Sequence, residues 1–309
     1  GQRAECTERR GHGPLASMPS VTLSLEQALA ERLVSALERL EQGLPASAAV
    51  PDWKSDRAFR WRRFGSRGCL RPVRHPHRLR LADLQRIDRQ KTALDLNVRQ
   101  FLAGKPCNNV LLWGARGTGK SSLIKALLNE YAECGLRLIE VDKQDLIDLP
   151  DIVDPLFERP ERFLLYCDDL SFEADDPSYK ALKAMLDGSI SAAPDNVLLC
   201  ATSNRRHLLP EYRRENEDAR IVDGELHHGE AVEEKISLSE RFGLWLSFHP
   251  FSQDDYLAIV GHWLEQLGWS AGLDETARRQ ALQWALQRGS RSGRVAWQFA
   301  RDWVGRHGL

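Results

Sequence analysis

The sequence predicts an α/β fold of three layers, with a parallel sheet covered by helices on both faces, and three observations carry that prediction. Short, mostly apolar runs recur at Val110–Leu112, Leu136–Val141, Phe163–Cys167, Val197–Thr202 and Leu244–Phe248. Runs of this kind are the signature of strands buried on both faces, and helical patterns separate most of them. The first run passes through a Gly-rich turn directly into a helical pattern, Leu123-Ile-Lys-Ala-Leu-Leu128. After Pro250 the strands stop, and helical patterns near 254–267, 275–288 and 295–304 predict a small all-helical domain over 251–309.

In chain order, residues 1–20 mix glycine, proline and charge without periodicity and are expected to be disordered. Leu25, Leu29, Leu33, Leu37 and Leu40 then recur at helical spacing behind Ser24 as N-cap, and Gly43-Leu-Pro45 ends the run. This predicts one amphipathic helix whose apolar stripe packs on the main body, with self-association as the alternative. Lys54 to Arg80 is the only strongly biased stretch: Arg57, Arg60, Arg62, Arg63, Arg67, Arg71, Arg74, Arg78 and Arg80 are set among Trp53, Phe59, Trp61 and Phe64. Either the aromatics dock on the domain while the arginines face water or acidic patches, or the segment grips nucleic acid by phosphate pairing and base stacking. The first reading is preferred, because the rest of the chain offsets the charge. Residues 21–81 are thus read as an N-terminal region and 82–250 as the α/β domain.

Forty-three Lys and Arg against 44 Asp and Glu leave a net charge of −1, so no global field argues for DNA or an anionic membrane. No apolar run reaches the roughly eighteen residues that cross a bilayer, and the polar start lacks the apolar core of a secretion signal. Cys6, Cys69, Cys107, Cys134, Cys167 and Cys200 are scattered with no C-x-x-C pair, the usage expected of reduced thiols in the cytoplasm. Cys134, Cys167 and Cys200 lie in or beside apolar segments, where a thiol behaves as a small hydrophobe. His75 and His77, and the adjacent His227 and His228, lack cysteines or carboxylates at zinc spacing and receive no metal.

The Gly-rich turn reads Gly114-Ala115-Arg116-Gly117-Thr118-Gly119-Lys120-Ser121-Ser122 and fits G-x-x-x-x-G-K-[ST], a phosphate-binding P-loop, in its confirming strand-to-helix context. Its glycines permit backbone conformations that bring several N–H groups onto phosphate oxygens, and the following helix aims free amides and its positive dipole end at the same anion. These nine residues are the expected nucleotide contacts, with ATP or GTP as ligand. Lys120 is placed to reach the β- and γ-phosphates and the Ser121 hydroxyl to ligate Mg²⁺.

Phe163–Cys167 is followed by Asp168 and Asp169, at the end of a strand where such a fold needs its metal partner. Asp168 is expected to hold the Mg²⁺ ion and Asp169 to polarise the attacking water. Val197–Thr202 ends in Ser203-Asn204, which a parallel sheet brings to the same edge, so Asn204 can touch the γ-phosphate or orient the water. Glu211 to Lys235, rich in charge with Gly224 and Gly229, reads as a solvated loop.

Taken in order, these elements resemble the AAA+ ATPases: P-loop, carboxylate pair, Ala201-Thr-Ser-Asn204 as sensor 1, Ser239-Glu-Arg241-Phe242 as arginine finger, and Gly293-Arg294 as sensor 2 in a helical lid. Ile87-Asp-Arg-Gln90, Phe101-Leu-Ala-Gly-Lys-Pro106, Asn108 through Lys120, Cys167-Asp-Asp-Leu-Ser-Phe172 and Thr202 through Leu208 further resemble the bacterial AAA+ family called domain of unknown function 815. The resemblance covers about 82–309. It implies ATP binding and hydrolysis in a homo-oligomer, with no established client. It also implies that Arg241 acts on a neighbouring subunit's γ-phosphate and that Arg294 reaches the ATP of its own subunit. One departure is Asp169, where these proteins usually carry Glu; its shorter reach implies slow hydrolysis or a nucleotide-controlled switch.

Three functional readings follow. The leading one is an ATPase that remodels or regulates an unidentified protein partner. The others are a nucleic-acid-associated loader or clamp, and a slow nucleotide-controlled scaffold.

Overall fold

The computed structural model describes residues 30–35, 51–65, 67–172, 176–187, 194–205, 208, 220–222, 225–227 and 238–308. The chain divides into two compact units, Gly1–Ala49 and Val50–Leu309. In the first, residues 30–35 are helical, inside the expected amphipathic run. The other leucines of that run, and the disorder expected over 1–20, lie outside the described residues.

The second unit is built on a seven-stranded sheet. Its strands are β1 (Ala58–Phe64), β2 (Arg67–Pro72), β3 (Val110–Gly114), β4 (Leu136–Glu140), β5 (Arg162–Cys167), β6 (Val197–Ser203) and, after a small ribbon of β7 (Arg220–Val222) with β8 (Glu225–His227), β9 (Leu244–Phe248). The order is β2-β1-β4-β5-β6-β3-β9, parallel throughout except for the β1–β2 hairpin. The ribbon falls inside the stretch read as a solvated loop.

Helices α1 (Asp88–Leu102) and α2 (Lys120–Tyr131) flank β3, α3 (Pro177–Asp187) precedes β6, and α4 (Gln253–Gln266), α5 (Glu275–Gln287) and α6 (Gly293–His307) close the chain. Between β4 and β5, short 3₁₀ and α turns run from Lys143 to Leu156 in place of one continuous helix. Pro150 and Pro155 stand at the starts of two of these turns, where they lack the N–H that would continue the preceding one.

Alternate strand residues feed two cores. Val110, Leu112, Leu138, Leu164, Tyr166, Leu198 and Cys200 face α2 and the C-terminal helices, whereas Leu111, Ile139, Phe163, Leu165, Cys167, Leu199 and Ala201 pack beneath the opposite layer with Leu146, Ile152 and Leu182. Burial on both faces explains why these strands read as mostly apolar runs. Ser252, Asp274 and Ser292 cap the three C-terminal helices by accepting from Asp255, Ala277 and Val295 amides. Cys167 and Cys200 are buried as expected, but Cys134 is exposed, because it ends a 3₁₀ turn just before Gly135.

The arginine-rich segment departs most from its sequence reading as a region apart. Its residues 58–72 are two strands of the main sheet, which therefore begins well upstream of residue 82. Trp53, Phe59 and Trp61 are buried, with the Trp53 ring 4.5 Å from Phe59 and 5.0 Å from Phe163. The intervening arginines meet acids of the neighbouring strand and turn: Arg57 with Glu133, Arg60 with Glu140, Arg62 with Asp142, Arg63 with Asp148. Buried Arg137 ties the layer down, donating to the carbonyls of Trp53, Ala132 and Leu136 at 2.7–2.9 Å.

The hairpin is therefore held by its aromatics, not by its surface ion pairs. Trp61→Ala empties a buried site and removes the indole bond to Asp148, so it is expected to cost about 3–5 kcal/mol in urea unfolding. Arg62→Ala is expected to cost under about 1 kcal/mol.

Candidate functional site

The chain leaves β3 toward β4 on one side, while β9 flanks it on the other, and a crevice opens at such a reversal outside the carboxyl ends of the strands. The Gly-rich turn fills this position. Gly114 has φ 132°, and a Cβ there would stand 1.9 Å from the Phe248 carbonyl oxygen, which accepts the Ala115 N–H at 3.0 Å. Gly117 has φ 74°, and its Cβ would meet Ser292 Oγ at 2.8 Å while its carbonyl accepts the Gly293 N–H at 2.9 Å. Gly119, at φ 104°, is the N-cap of α2 and lies against Ile87. The Thr118 hydroxyl donates to the Ala115 carbonyl and fixes the bend.

Helix α2 starts without a side-chain cap, unlike α4, α5 and α6. Its first intrahelical donor is the Leu123 amide, to Gly119 O at 2.9 Å, so the amides of Lys120, Ser121 and Ser122 point out of the helix end with its positive dipole.

Polar side chains from three elements converge here. Lys120, only 7% exposed, donates from Nζ to the carbonyls of Gly114 and Ala115, both at 2.8 Å, and to Asn204 Oδ1 at 3.2 Å. Burial depresses its pKa below the lysine range, against the pull of Asp168 and Asp169, and the positive charges of Arg116 and Arg294 push the same way as burial. Asp168 Oδ1 accepts from Ser121 Oγ at 2.8 Å and from Thr202 Oγ1 at 2.5 Å. Burial alone would raise the Asp168 carboxyl, but the bonds from Thr202 and Ser121 and the charge of Lys125 outweigh it and hold the group below the usual carboxylate range.

Asp169 sits in the left-handed region at φ 52°, with its N–H on Thr202 Oγ1 at 2.9 Å. Its carboxylate accepts from Asn204 Nδ2 and stands 3.6 Å from the Arg116 guanidinium. From above, Arg294 begins α6 beside Gly117. The structure thus brings together the expected residues of the turn, both carboxylates, Asn204 and Arg294. Arg241 is not in this group; its guanidinium pairs with Asp187 at the end of α3.

Sequence reasoning assigned no role to Thr202, Tyr166 or Ser292. Thr202 bridges the two carboxylate positions, and a polar residue ending an otherwise apolar strand was its only signal. Ser292 caps the helix that covers the turn. Tyr166, 1% exposed, lies among Ser121, Asp168 and Thr202, yet its hydroxyl has no hydrogen-bond partner among the described residues.

The donor set fits a hard divalent cation. Ser121 and Asp168 offer two adjacent oxygens, the share of a Mg²⁺ shell that a protein supplies when phosphates and water complete it. The glycine cradle fits a phosphate chain, because Cβ atoms at 114 and 117 would collide with their neighbours and the backbone alone lines the turn.

This fold and turn define a P-loop NTPase architecture of the AAA+ kind. Residues 54–307 match the family described as Protein of unknown function (DUF815), and the chain belongs to that family. Among solved structures, a point mutant of Thermotoga maritima RuvB superposes with TM-score 0.50 at 15% identity, covering 75% of this chain and 68% of that one. The structure titled Thermotoga maritima RuvB Holliday junction branch migration motor gives TM-score 0.47 at 15% identity, over 75% and 67%. At this identity the likeness concerns the fold alone. No curated protein matches the chain.

Gly117→Ala places a Cβ against Ser292 on a backbone that L-residues rarely adopt. It is expected to lower stability by about 1–3 kcal/mol in thermal unfolding, whereas Gly135→Ala, also at positive φ but with nothing within 4 Å, should cost about 1 kcal/mol.

Proposed function

We propose that this chain is an ATPase that binds Mg-ATP at the end of β3 and hydrolyses it at the subunit interfaces of a homo-oligomer, acting on an unidentified protein partner. The observation that carries the reading is one cluster in which Lys120, Asn204, the Ser121–Asp168 pair and Asp169 meet around the glycine turn, with Arg294 beside it. The amides of 117–122 would bind the phosphates. Lys120, released from the Gly114 and Ala115 carbonyls, would carry its charge to the β- and γ-phosphates. Ser121 and Asp168 would hold Mg²⁺, which when bound neutralises charge on the β- and γ-oxygens.

Asp169 and Asn204 would orient the attacking water, Asp169 accepting its proton. Arg294 would add a guanidinium to the γ-phosphate in its own subunit, and Arg241 would do so in the neighbour's site after exchanging Asp187 for phosphate. A finger acting in trans makes assembly a condition of turnover.

A specific observation favours a slow, switch-like variant of this activity. Asp169 is held by Asn204 and faces Arg116, so it must leave both before it reaches water. The nucleic-acid reading has less support, since Trp53, Phe59 and Trp61 are buried, leaving Phe64 alone of its four aromatics exposed for stacking, and four of its arginines are already paired with acids.

Steady-state ATPase assays test the proposal. Activity per subunit is expected to rise with protein concentration, to vanish in Lys120→Ala, and to fall by about a thousandfold in Arg241→Ala. A rate independent of concentration and indifferent to Arg241→Ala would eliminate the finger in trans. If carboxylate reach limits turnover, Asp169→Glu is faster than the parent; a slower variant places the limit elsewhere.

A further inference from the structure

The Tyr166 hydroxyl is a buried polar group of the site to which the proposed reaction gives no work. It is 1% exposed, on the face of β5 that also carries Leu164, in a core with Leu112, Leu198 and Cys200. A phenylalanine would fill that apolar space without bringing a hydroxyl that needs a partner. The hydroxyl lies among Ser121, Thr202 and Asp168, but makes no hydrogen bond among the described residues. Buried donors left unpaired are rare and destabilising, so one kept beside a candidate metal ligand points to a partner in another state of the site.

The arrangement of Asp168 says which partner. Both hydroxyl bonds it accepts, from Ser121 and Thr202, fall on Oδ1, and Oδ2 accepts none among the described residues. A carboxylate so anchored at one oxygen can turn about that end. We propose that Tyr166 is a positioning residue for the metal end of the site, donating its hydroxyl hydrogen to Asp168 when that carboxylate turns to face Mg²⁺ held with ATP. Three hydroxyls, from α2, β5 and β6, then fix the carboxylate, as supporting shells fix the ligands of bound metals. This inference rests on the ATP-binding reading above and adds to it a residue outside the known motifs.

The test separates metal-dependent from metal-independent binding. Calorimetric titration of the full chain and of Tyr166→Phe with a non-hydrolysable ATP analogue is run once in Mg²⁺ and once in EDTA. The expected result is about a tenfold loss of affinity for Tyr166→Phe in Mg²⁺ and none in EDTA, with a thermal midpoint equal to or above that of the parent, because the unpaired hydroxyl is gone. Tyr166→Leu should show the same metal-specific loss, which keeps the test open if the first variant folds poorly. Equal affinities in Mg²⁺ would overturn the proposal. So would equal losses in both arms, since they would assign the ring to packing alone. A parent chain that binds the analogue in neither arm would refute the ATP reading itself.

Discussion

A close approach of bare backbone at the end of β3 organises the rest of the site. Around the turn from Gly114 to Gly119, β9 arrives through the Phe248 carbonyl, the C-terminal helices arrive through the Gly293 amide, and Ile87 covers the start of α2. Each contact is possible because the turn presents no side chain where the neighbour lies. The glycines therefore serve two ends with one geometry: they curl the chain so that its amides face outward, and they let the start of α6 rest on the turn itself. The turn is one hydrogen bond from α6, through the Gly293 amide, so a displacement of the turn is passed to that helix directly and not across a gap. The same helix brings Arg294.

Beside the turn, a single hydroxyl ties together the two acidic residues. Thr202 donates to Asp168 and accepts the Asp169 amide, while its own carbonyl accepts the Leu170 amide. The strand β6 thus sets the path of the chain leaving β5 through three consecutive residues. Because the Thr202 hydroxyl is withdrawn from water, losing either partner leaves it costly, although both aspartates reach the surface. Lys120 follows the same logic: a buried ammonium is tolerated because two carbonyls and an amide oxygen surround it.

What could be read from the sequence divides along physical lines. The strands β3 to β6 and β9, the three C-terminal helices and the glycine turn were legible because mostly apolar runs, helical spacing and a fixed motif are all local signals. Strands β1 and β2 were hidden by their charge. Arg60, Arg62 and Arg63 alternate with Phe59 and Trp61, and only the fold supplies Glu140, Asp142 and Asp148, some eighty residues away, to receive them. The contacts of Thr202 with Asp168, and of Arg241 with Asp187, likewise join residues that are neighbours only after folding. No composition or period could announce them. Asp168 and Asn204 could be nominated because a parallel sheet places strand ends on one edge, but which oxygen meets which hydrogen is decided by register.

Asp169 shows how a sequence departure and a backbone departure can be one feature. The resemblance to AAA+ ATPases implies Glu at this position, yet the residue lies at φ 52°, a conformation that Asp adopts several-fold more readily than most side chains. The amide bond to Thr202 helps to hold that conformation, so the backbone is fixed before the side chain is considered. Given that turn, a short carboxylate reaches Asn204 and approaches Arg116. A longer one would bear the strain of the left-handed backbone with less local compensation. The length of the side chain at 169 is therefore tied to the way β5 exits beside Thr202.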